Sequence, residues 1–373
     1  MATRSRVAQV TAPGKVEVVE VEVPEIHPED MLIKVEMAGI CGTDVYLVHN
    51  PRPFPWWEPR YPMPLGHEPV GRIAKMGSRA PRVDSLGQPV TEGDRVVYTY
   101  RTCGTCYACT ILHQPMFCFH NPPRREFPRI GAAFADYVYL PENTPIFRVP
   151  DDMPSEVAVL TEPFSGSLRS FQKAAGPGVS ERYQGFGLGM NVVIQGSGTI
   201  GVLHTVAARL SGAHKVIVIG APASRLEICK LFGADEVINF LETTEEERAR
   251  LIKGMTPWGY GPDLVVEAAG APAAFKEALD LVRRGGIILE FGHFTDHGTV
   301  PINPMLMVYK DVTIYGSNGY GPNAYAATIK VLDSYWRQVP FEKAVTHRFG
   351  LDQAADAVEI ARKQECVKAV VIP

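Results

Sequence analysis

At 373 residues the chain is too long for one ordinary core and suits two domains. Hydrophobic residues make up 46% and charged residues 21%, and a net charge of −4 with a pI near 6.2 gives no electrostatic case for nucleic acid or an anionic membrane as partner. No apolar run is long enough to span a bilayer, and the two arginines after Met1 have no apolar h-region behind them, so the expected address is the cytoplasm.

In chain order, Lys15 to Pro24 alternates apolar and polar residues and reads as a half-buried strand, with Met31 to Met37 as its expected partner. Asn50 to Pro62 is dense in proline and can be neither helix nor central strand. Its large aromatics, Phe54, Trp56 and Trp57, either pin the loop or form a substrate-facing lid. Four of the seven cysteines then fall within sixteen residues, as Cys103, Cys106, Cys109 and Cys118. An odd cysteine count without a signal peptide argues against a disulfide scaffold, whereas four thiolates at this spacing can enclose one Zn²⁺ as a closed structural site. A redox C-x-x-C pair or an iron–sulfur cluster is the competing reading.

The texture changes near residue 164. Helix is expected over 164–175, strand over 191–195, helix over 200–210, strand over 214–219 and helix over 225–232. Further strands are expected at 264–267, 286–291 and 312–315, with a clear helix over 273–282. Strands alternating with helices at this spacing mean a parallel doubly wound sheet. The last fifty residues change pattern again, with an amphipathic helix over 351–362 and a final strand over 367–372.

Gly196-Ser-Gly198-Thr-Ile-Gly201 stands between a predicted strand and a predicted helix. That context turns a weak motif into a dinucleotide site. The first glycine allows a tight turn, the second a close approach of backbone to pyrophosphate, and the third close packing of helix on strand. The amides that open the helix, from Thr199 and Ile200 onward, face the phosphates. Cys41 and His67 each lie beside a glycine in loops expected to follow strands, and Glu162 offers an oxygen from a third segment. Three protein ligands with a fourth position open make a catalytic zinc.

Cys41-Gly-Thr-Asp44, Gly66-His67-Glu68, Gly93-Asp-Arg-Val96, the four cysteines, Ala133-Phe-Ala-Asp-Tyr137, Glu162-Pro163 and the Gly196 turn occur in the order seen in the medium-chain zinc alcohol dehydrogenases. The resemblance covers nearly the whole chain and is nearest to the sorbitol and threonine dehydrogenase branch, because Glu162-Pro163 stands where liver-type enzymes carry a second cysteine ligand. It implies an α/β fold with a GroES-like β-rich catalytic domain, residues 1–163 joined by 319–373, and a Rossmann domain, residues 164–318, with the active site in the cleft between them. It further implies two zinc ions per chain, a nicotinamide cofactor, an alcohol or carbonyl substrate, and a homodimer or homotetramer.

Carried over by motif, Cys41, His67 and either Glu162 or Glu68 hold the catalytic zinc, with Glu162 ranked first. Thr43 starts the proton relay. Tyr46 occupies the place where many relatives have a relay histidine, and Asp44 supports the ligands. The pocket is expected to draw on Tyr46, Trp56 or Trp57, and Thr99, with Asn318 near the cofactor. Arg124, Arg125 and Arg129 either bind an anionic substrate group or are solvated surface. Gly220 stands where an NAD site normally places an acid for the ribose hydroxyls, with Ser224 and Arg225 downstream. Ala221 and Pro222 lack the charge that NADP enzymes of the superfamily place there. NAD is therefore expected, and NADP is the alternative. The competing function is a zinc-free reductase of the same superfamily acting on an enone or quinone.

Overall fold

The computed structural model describes residues 3–50, 60–100, 102–118, 130–175 and 186–373. The proline-rich aromatic loop with Phe54, Trp56 and Trp57, and the arginines Arg124, Arg125 and Arg129, lie outside the described residues. The chain divides into two compact units, Met1–Ser165 with Gly319–Pro373, and Gly166–Asn318.

The strands in chain order are β1 (Arg4–Ala12), β2 (Lys15–Glu22), β3 (Met31–Gly39), β4 (Met63–Pro64), β5 (Glu68–Met76), β6 (Arg95–Tyr98), β7 (Tyr137–Leu140) and β8 (Ile146–Arg148). They continue as β9 (Asn191–Gln195), β10 (Lys215–Gly220), β11 (Glu236–Asn239), β12 (Leu264–Glu267), β13 (Ile287–Glu290), β14 (Thr313–Gly316), β15 (Val345–Gly350) and β16 (Lys368–Ile372).

The first unit holds two sheets. One is a three-stranded ribbon in the order β2-β1-β4. The other runs β15-β16-β3-β5-β6-β8, with β7 pairing β3 off that path. Their facing side chains, among them Ile33, Val35, Phe134, Val138 and Val371, form one buried core. The expected pairing of Lys15–Glu22 with Met31–Met37 is not what forms. β2 pairs with β1 through the short turn at Gly14, while β3 is a central strand of the larger sheet. The reason lies in burial. β3 is covered on both faces and needs neighbours on both edges, whereas β2 is only half-buried and closes a local hairpin.

The second unit is a six-stranded parallel sheet in the order β11-β10-β9-β12-β13-β14. Numbered within the unit this is 3-2-1-4-5-6, the doubly wound dinucleotide order. Its inner strands are short runs of Val, Ile and Leu with no exposed face, as parallel strands between helix layers must be. Helices Thr199–Leu210 and Ala223–Leu231 follow β9 and β10, and helix Pro272–Leu281 follows β12.

Candidate active site and metal centres

Three loops of the first unit converge through the pairing of its large sheet. β3 ends at Gly39, and Cys41 then caps helix Gly42–His49, so its side chain is fixed by the start of that helix. β5 pairs antiparallel with β3 such that Gly39 faces Glu68. A side chain at Gly39 would strike the Glu68 carboxylate, so a glycine is needed there for Glu68 to enter. His67 lies in the short loop between β4 and β5 and immediately precedes β5, so it is aimed by the strand it leads into. One donor atom each from Cys41, His67 and Glu68 lies within 4.8 Å of the others.

Asp44 ties the two loops together. It is 1% exposed. Its carboxylate accepts the Cys41 N–H at 2.9 Å and the Gly66 N–H at 3.2 Å, and its Oδ1 lies 3.3 Å from His67 Nδ1. Burial lowers the affinity of the His67 ring for a proton, but the charges of Asp44 and Cys41 outweigh it and raise the pKa well above the ordinary value. The Thr43 hydroxyl stands 3.6 Å from the Cys41 sulfur. Tyr46 lies three residues on, on the same face of the helix.

The two candidate carboxylates differ in their partners. Glu68 is buried and paired with Lys368, whose ammonium also donates to the Ile40 carbonyl at 2.9 Å. Lys368 is 2% exposed and opens β16, which pairs antiparallel with β3 and so brings the chain's last strand to the site. Nothing in the sequence motifs flagged this residue. The available signal was a lysine inside an otherwise apolar final strand. Glu162 sits in the first turn of helix Thr161–Ala174, where an acid suits the positive end of the helix. It accepts a hydrogen bond from the Tyr320 hydroxyl, and among the described residues no cationic side chain stands within ion-pair distance. Burial pushes its carboxyl up to about 8; the charges of His67 and Lys368 oppose that rise, and repulsion from Glu68 and Asp44 adds to it. Of the expected pocket residues, Thr99 is 2% exposed and belongs to the interior beside Tyr325.

The four cysteines form a second cluster. Their sulfurs stand 3.4 Å (Cys103 to Cys118), 3.6 Å (Cys106 to Cys109), 3.8 Å (Cys106 to Cys118) and 4.0 Å (Cys103 to Cys109) apart. The edge of a tetrahedron with Zn–S bonds of about 2.3 Å is about 3.8 Å. The spacings bracket that value and are far too long for disulfides. N–H groups of Thr105 and Cys106 point at the Cys103 sulfur at 3.4 and 3.3 Å and draw its pKa down to about 5, so one thiolate is available at neutral pH. The four-cysteine set fits zinc, as do Cys41 and His67 with a carboxylate; Glu68 stands with those two within 4.8 Å, and Glu162 does not belong to that group.

In the second unit, Gly196 leaves β9 with φ +115°, a conformation that L side chains rarely adopt, and a Cβ there would meet the Ala268 carbonyl at 2.7 Å. A Cβ on Gly201 would stand 1.9 Å from the Gly196 carbonyl oxygen, so helix Thr199–Leu210 can begin this close to the turn only with glycine. Thr199 and Ile200 open that helix after its cap, Gly198. Arg225 lies across the turn, with Nε donating to the Ser197 carbonyl at 3.0 Å and its guanidinium against Gly198. Gly220 ends β10, where the Ser197 side chain fills the space that a Cβ at 220 would take. Asn318 closes the unit, its carbonyl accepting from Arg169 at 3.2 Å.

A parallel sheet with a glycine turn at its crossover, together with a Cys-His-Glu cluster, defines a metal-assisted nicotinamide dehydrogenase. Comparison with known proteins agrees. The alcohol dehydrogenase GroES-like domain matches residues 27–151, and the zinc-binding dehydrogenase family matches residues 199–334. A 5-exo-hydroxycamphor dehydrogenase of Pseudomonas putida is 31% identical over 98% of each chain. A sorbitol dehydrogenase of Bacillus subtilis is 33% identical over 94% of this chain and 92% of its own. The crystal structure of an alcohol dehydrogenase from Thermotoga maritima superposes with a TM-score of 0.87 at 27% identity, covering 100% of both chains. The chain therefore belongs to the zinc-binding dehydrogenases of the medium-chain alcohol dehydrogenase superfamily. It is an oxidoreductase that moves a hydride between an alcohol and a nicotinamide cofactor, and the zinc-free reductase reading is not favoured. Among the described residues no helix is long and apolar enough to cross a membrane.

Proposed function

We propose that the protein oxidises a secondary alcohol to a ketone, or reduces that ketone, with catalytic zinc held by Cys41, His67 and Glu162 and a second, structural zinc held by Cys103, Cys106, Cys109 and Cys118. The observation that carries the choice of Glu162 is the contrast between the carboxylates. Among the described residues Glu68 has its counter-charge in direct contact, Lys368, whereas Glu162 is held by a hydroxyl and feels the charges of His67 and Lys368 only at longer range, so a cation beside it supplies the close partner it lacks. When bound, zinc supplies a Lewis acid for a substrate oxygen, and the nicotinamide supplies the hydride acceptor.

The remaining work falls to the chain. Asp44 holds His67 by Nδ1 and leaves Nε2 as the metal donor. Thr43 Oγ1 takes the proton that the substrate hydroxyl gives up, and Tyr46 stands next on the same helix face to pass it outward. The turn from Gly196 to Gly201, with Arg225 laid across it, binds the cofactor pyrophosphate, and Asn318, at the end of the same unit, joins the cofactor site. NAD is the favoured cofactor.

The relatives named for sorbitol and for hydroxycamphor point to polyols and bulky cyclic alcohols, and amino alcohols complete the class. A homodimer or homotetramer is supported by β14, which among the described residues is an unpaired edge of the parallel sheet, and by the nearby exposed Met305, Val308 and Tyr309. Seven free cysteines suit a reducing compartment, for which we take the cytoplasm. The test is a panel of polyols, amino alcohols and cyclic alcohols offered to zinc-loaded enzyme with NAD, followed by reduced-nicotinamide absorbance. Turnover of at least one class is expected. Reduction of enones or quinones with no alcohol turned over would sink the reading.

A further inference from the structure

At the carboxyl edge of the parallel sheet, two neighbouring apolar strands each end in a glutamate. Glu267 closes β12 and Glu290 closes β13, and the two are direct partners in the register. His293 follows in the next loop, its Nδ1 2.8 Å from Glu290 Oε1 and 3.3 Å from Glu267 Oε2. The other Glu267 oxygen is committed, accepting the N–H groups of Ala269 at 2.9 Å and Gly270 at 2.8 Å. That fixes the direction of the carboxylate and turns Oε2 towards the histidine.

The arrangement does not close on itself. Glu267 is 0% exposed, and its Oε2 makes no hydrogen bond. Glu290 Oε2 and His293 Nε2 are also buried without a hydrogen-bond partner. A single Nδ1–H can serve one carboxylate, and the nearer, Glu290, takes it. Two carboxylates then face one imidazole, and Glu267 Oε2, fully buried, unpartnered and turned towards that imidazole, calls for an ion or a water.

We propose that Glu267, Glu290 and His293 form a further metal site that takes one divalent cation of the manganese or zinc class, bound by one oxygen of each carboxylate and by imidazole Nδ1. The three donor atoms lie within 4.8 Å of one another. Donors bound at about 2.1 Å around a four- or six-coordinate ion stand about 3.0–3.4 Å apart. The two separations from Nδ1, 2.8 and 3.3 Å, need adjust by only tenths of an ångström, and the two carboxylate oxygens lie within 4.8 Å of each other. A dication balances both carboxylates. The side chains of Glu290 and His293 are 20% and 22% exposed, which gives an ion an entrance on one side while Glu267 anchors it from within. Bound there, the ion ties the ends of β12 and β13 to the loop that follows. The donors are two oxygens and one nitrogen with no sulfur, so Mn²⁺ suits them while leaving zinc in its cysteine-containing sites.

The experiment titrates zinc-replete wild-type enzyme with Mn²⁺ and counts bound ion by electron paramagnetic resonance, with zinc content checked before and after. One Mn²⁺ per chain is expected with zinc unchanged. Glu290→Gln and His293→Gln, both at partly exposed positions, should each weaken Mn²⁺ binding by at least about tenfold. Glu267→Gln should do the same, but that carboxylate also holds the following backbone, so the two outer variants decide. No Mn²⁺ bound at millimolar concentration overturns the proposal and leaves water as the occupant. Equal binding by wild type and both outer variants also overturns it, by locating the ion elsewhere.

Discussion

All four sulfurs of the cysteine cluster come from one stretch, Cys103 to Cys118, much of it at the surface, with Tyr107 and Ile111 among its exposed neighbours. The Cys41 and His67 cluster draws on residues as far apart as Asp44, Glu162, Tyr320 and Lys368, and most of its support is buried. The first is local, closed by its own donors and nearly independent of the rest of the fold. The second exists only once β3, β5 and β16 have paired. On the proposed reading, an enclosed ion in a local lobe serves folding, while an open one in a long-range framework is served by the proton path proposed through Thr43. This contrast predicts that damage to the two clusters separates cleanly.

The largest expected effect is on turnover. His67→Ala should reduce activity to the assay background, while cofactor binding by the second unit survives and the fold is retained. Cys103→Ser should instead cost mainly stability, because a structural zinc contributes folding energy directly. Elemental analysis should find about two zinc ions per chain in wild type and about one in either variant. If Cys103→Ser kept full thermal stability and lost only activity, the division of labour drawn here would be wrong.

Within the assembled cluster the comparison can be sharpened further. Thr43→Ala should keep its metal and lose about 10²–10⁴-fold in rate, the scale of a lost acid–base group. Full activity in that variant would remove Thr43 from the proton path. Lys368→Met leaves Glu68 buried with no partner, which should cost about 3–5 kcal/mol of unfolding free energy. Adding Glu68→Gln should recover much of that loss. If the single variant denatures at the same midpoint as wild type, the buried pair is not holding the site.

The same contrast explains what could be read from the chain before its structure. The cysteine lobe and the Gly196 turn were legible because their chemistry is written in consecutive residues. The strands 191–195 and 264–267 were legible too, since strands buried on both faces are short unbroken apolar runs. Pairing was not legible in the first unit, where β2 and β3 have similar patterns but opposite fates. Resemblance alone ranks Glu162 above Glu68, and the motifs themselves hold no physical ground for the choice. What separates them is Lys368, three hundred residues from Glu68, and Tyr320, and neither lies in a motif. The pairing of Glu267 with Glu290 was hidden for the same reason, because it depends on the register of two strands.

The smallest effect concerns the cofactor, where a local motif meets a long-range neighbour. Gly220 lacks the acid that usually grips the ribose, and the space is taken by Ser197, whose hydroxyl donates to the Ala221 carbonyl at 3.0 Å. A Cβ at 220 would stand 2.4 Å from the Ser197 hydroxyl oxygen and 2.5 Å from its Cβ. Gly220→Asp alone should therefore weaken both cofactors by distorting the turn. Ser197→Gly with Gly220→Asp clears the space and supplies a carboxylate that binds ribose hydroxyls and repels a 2′-phosphate. Wild type should prefer NAD by about tenfold or less, roughly 1.4 kcal/mol, since it has neither the acid that excludes the phosphate nor a second cation to clamp it. The double variant should widen that ratio by at least about tenfold through loss of NADP activity. Arg225→Ala separates the remaining roles. Equal weakening of both cofactors marks Arg225 as a brace for the turn, as its bond to the Ser197 carbonyl suggests. If wild type strongly prefers NADP and Arg225→Ala abolishes that preference, Arg225 is the phosphate clamp and the NAD reading fails.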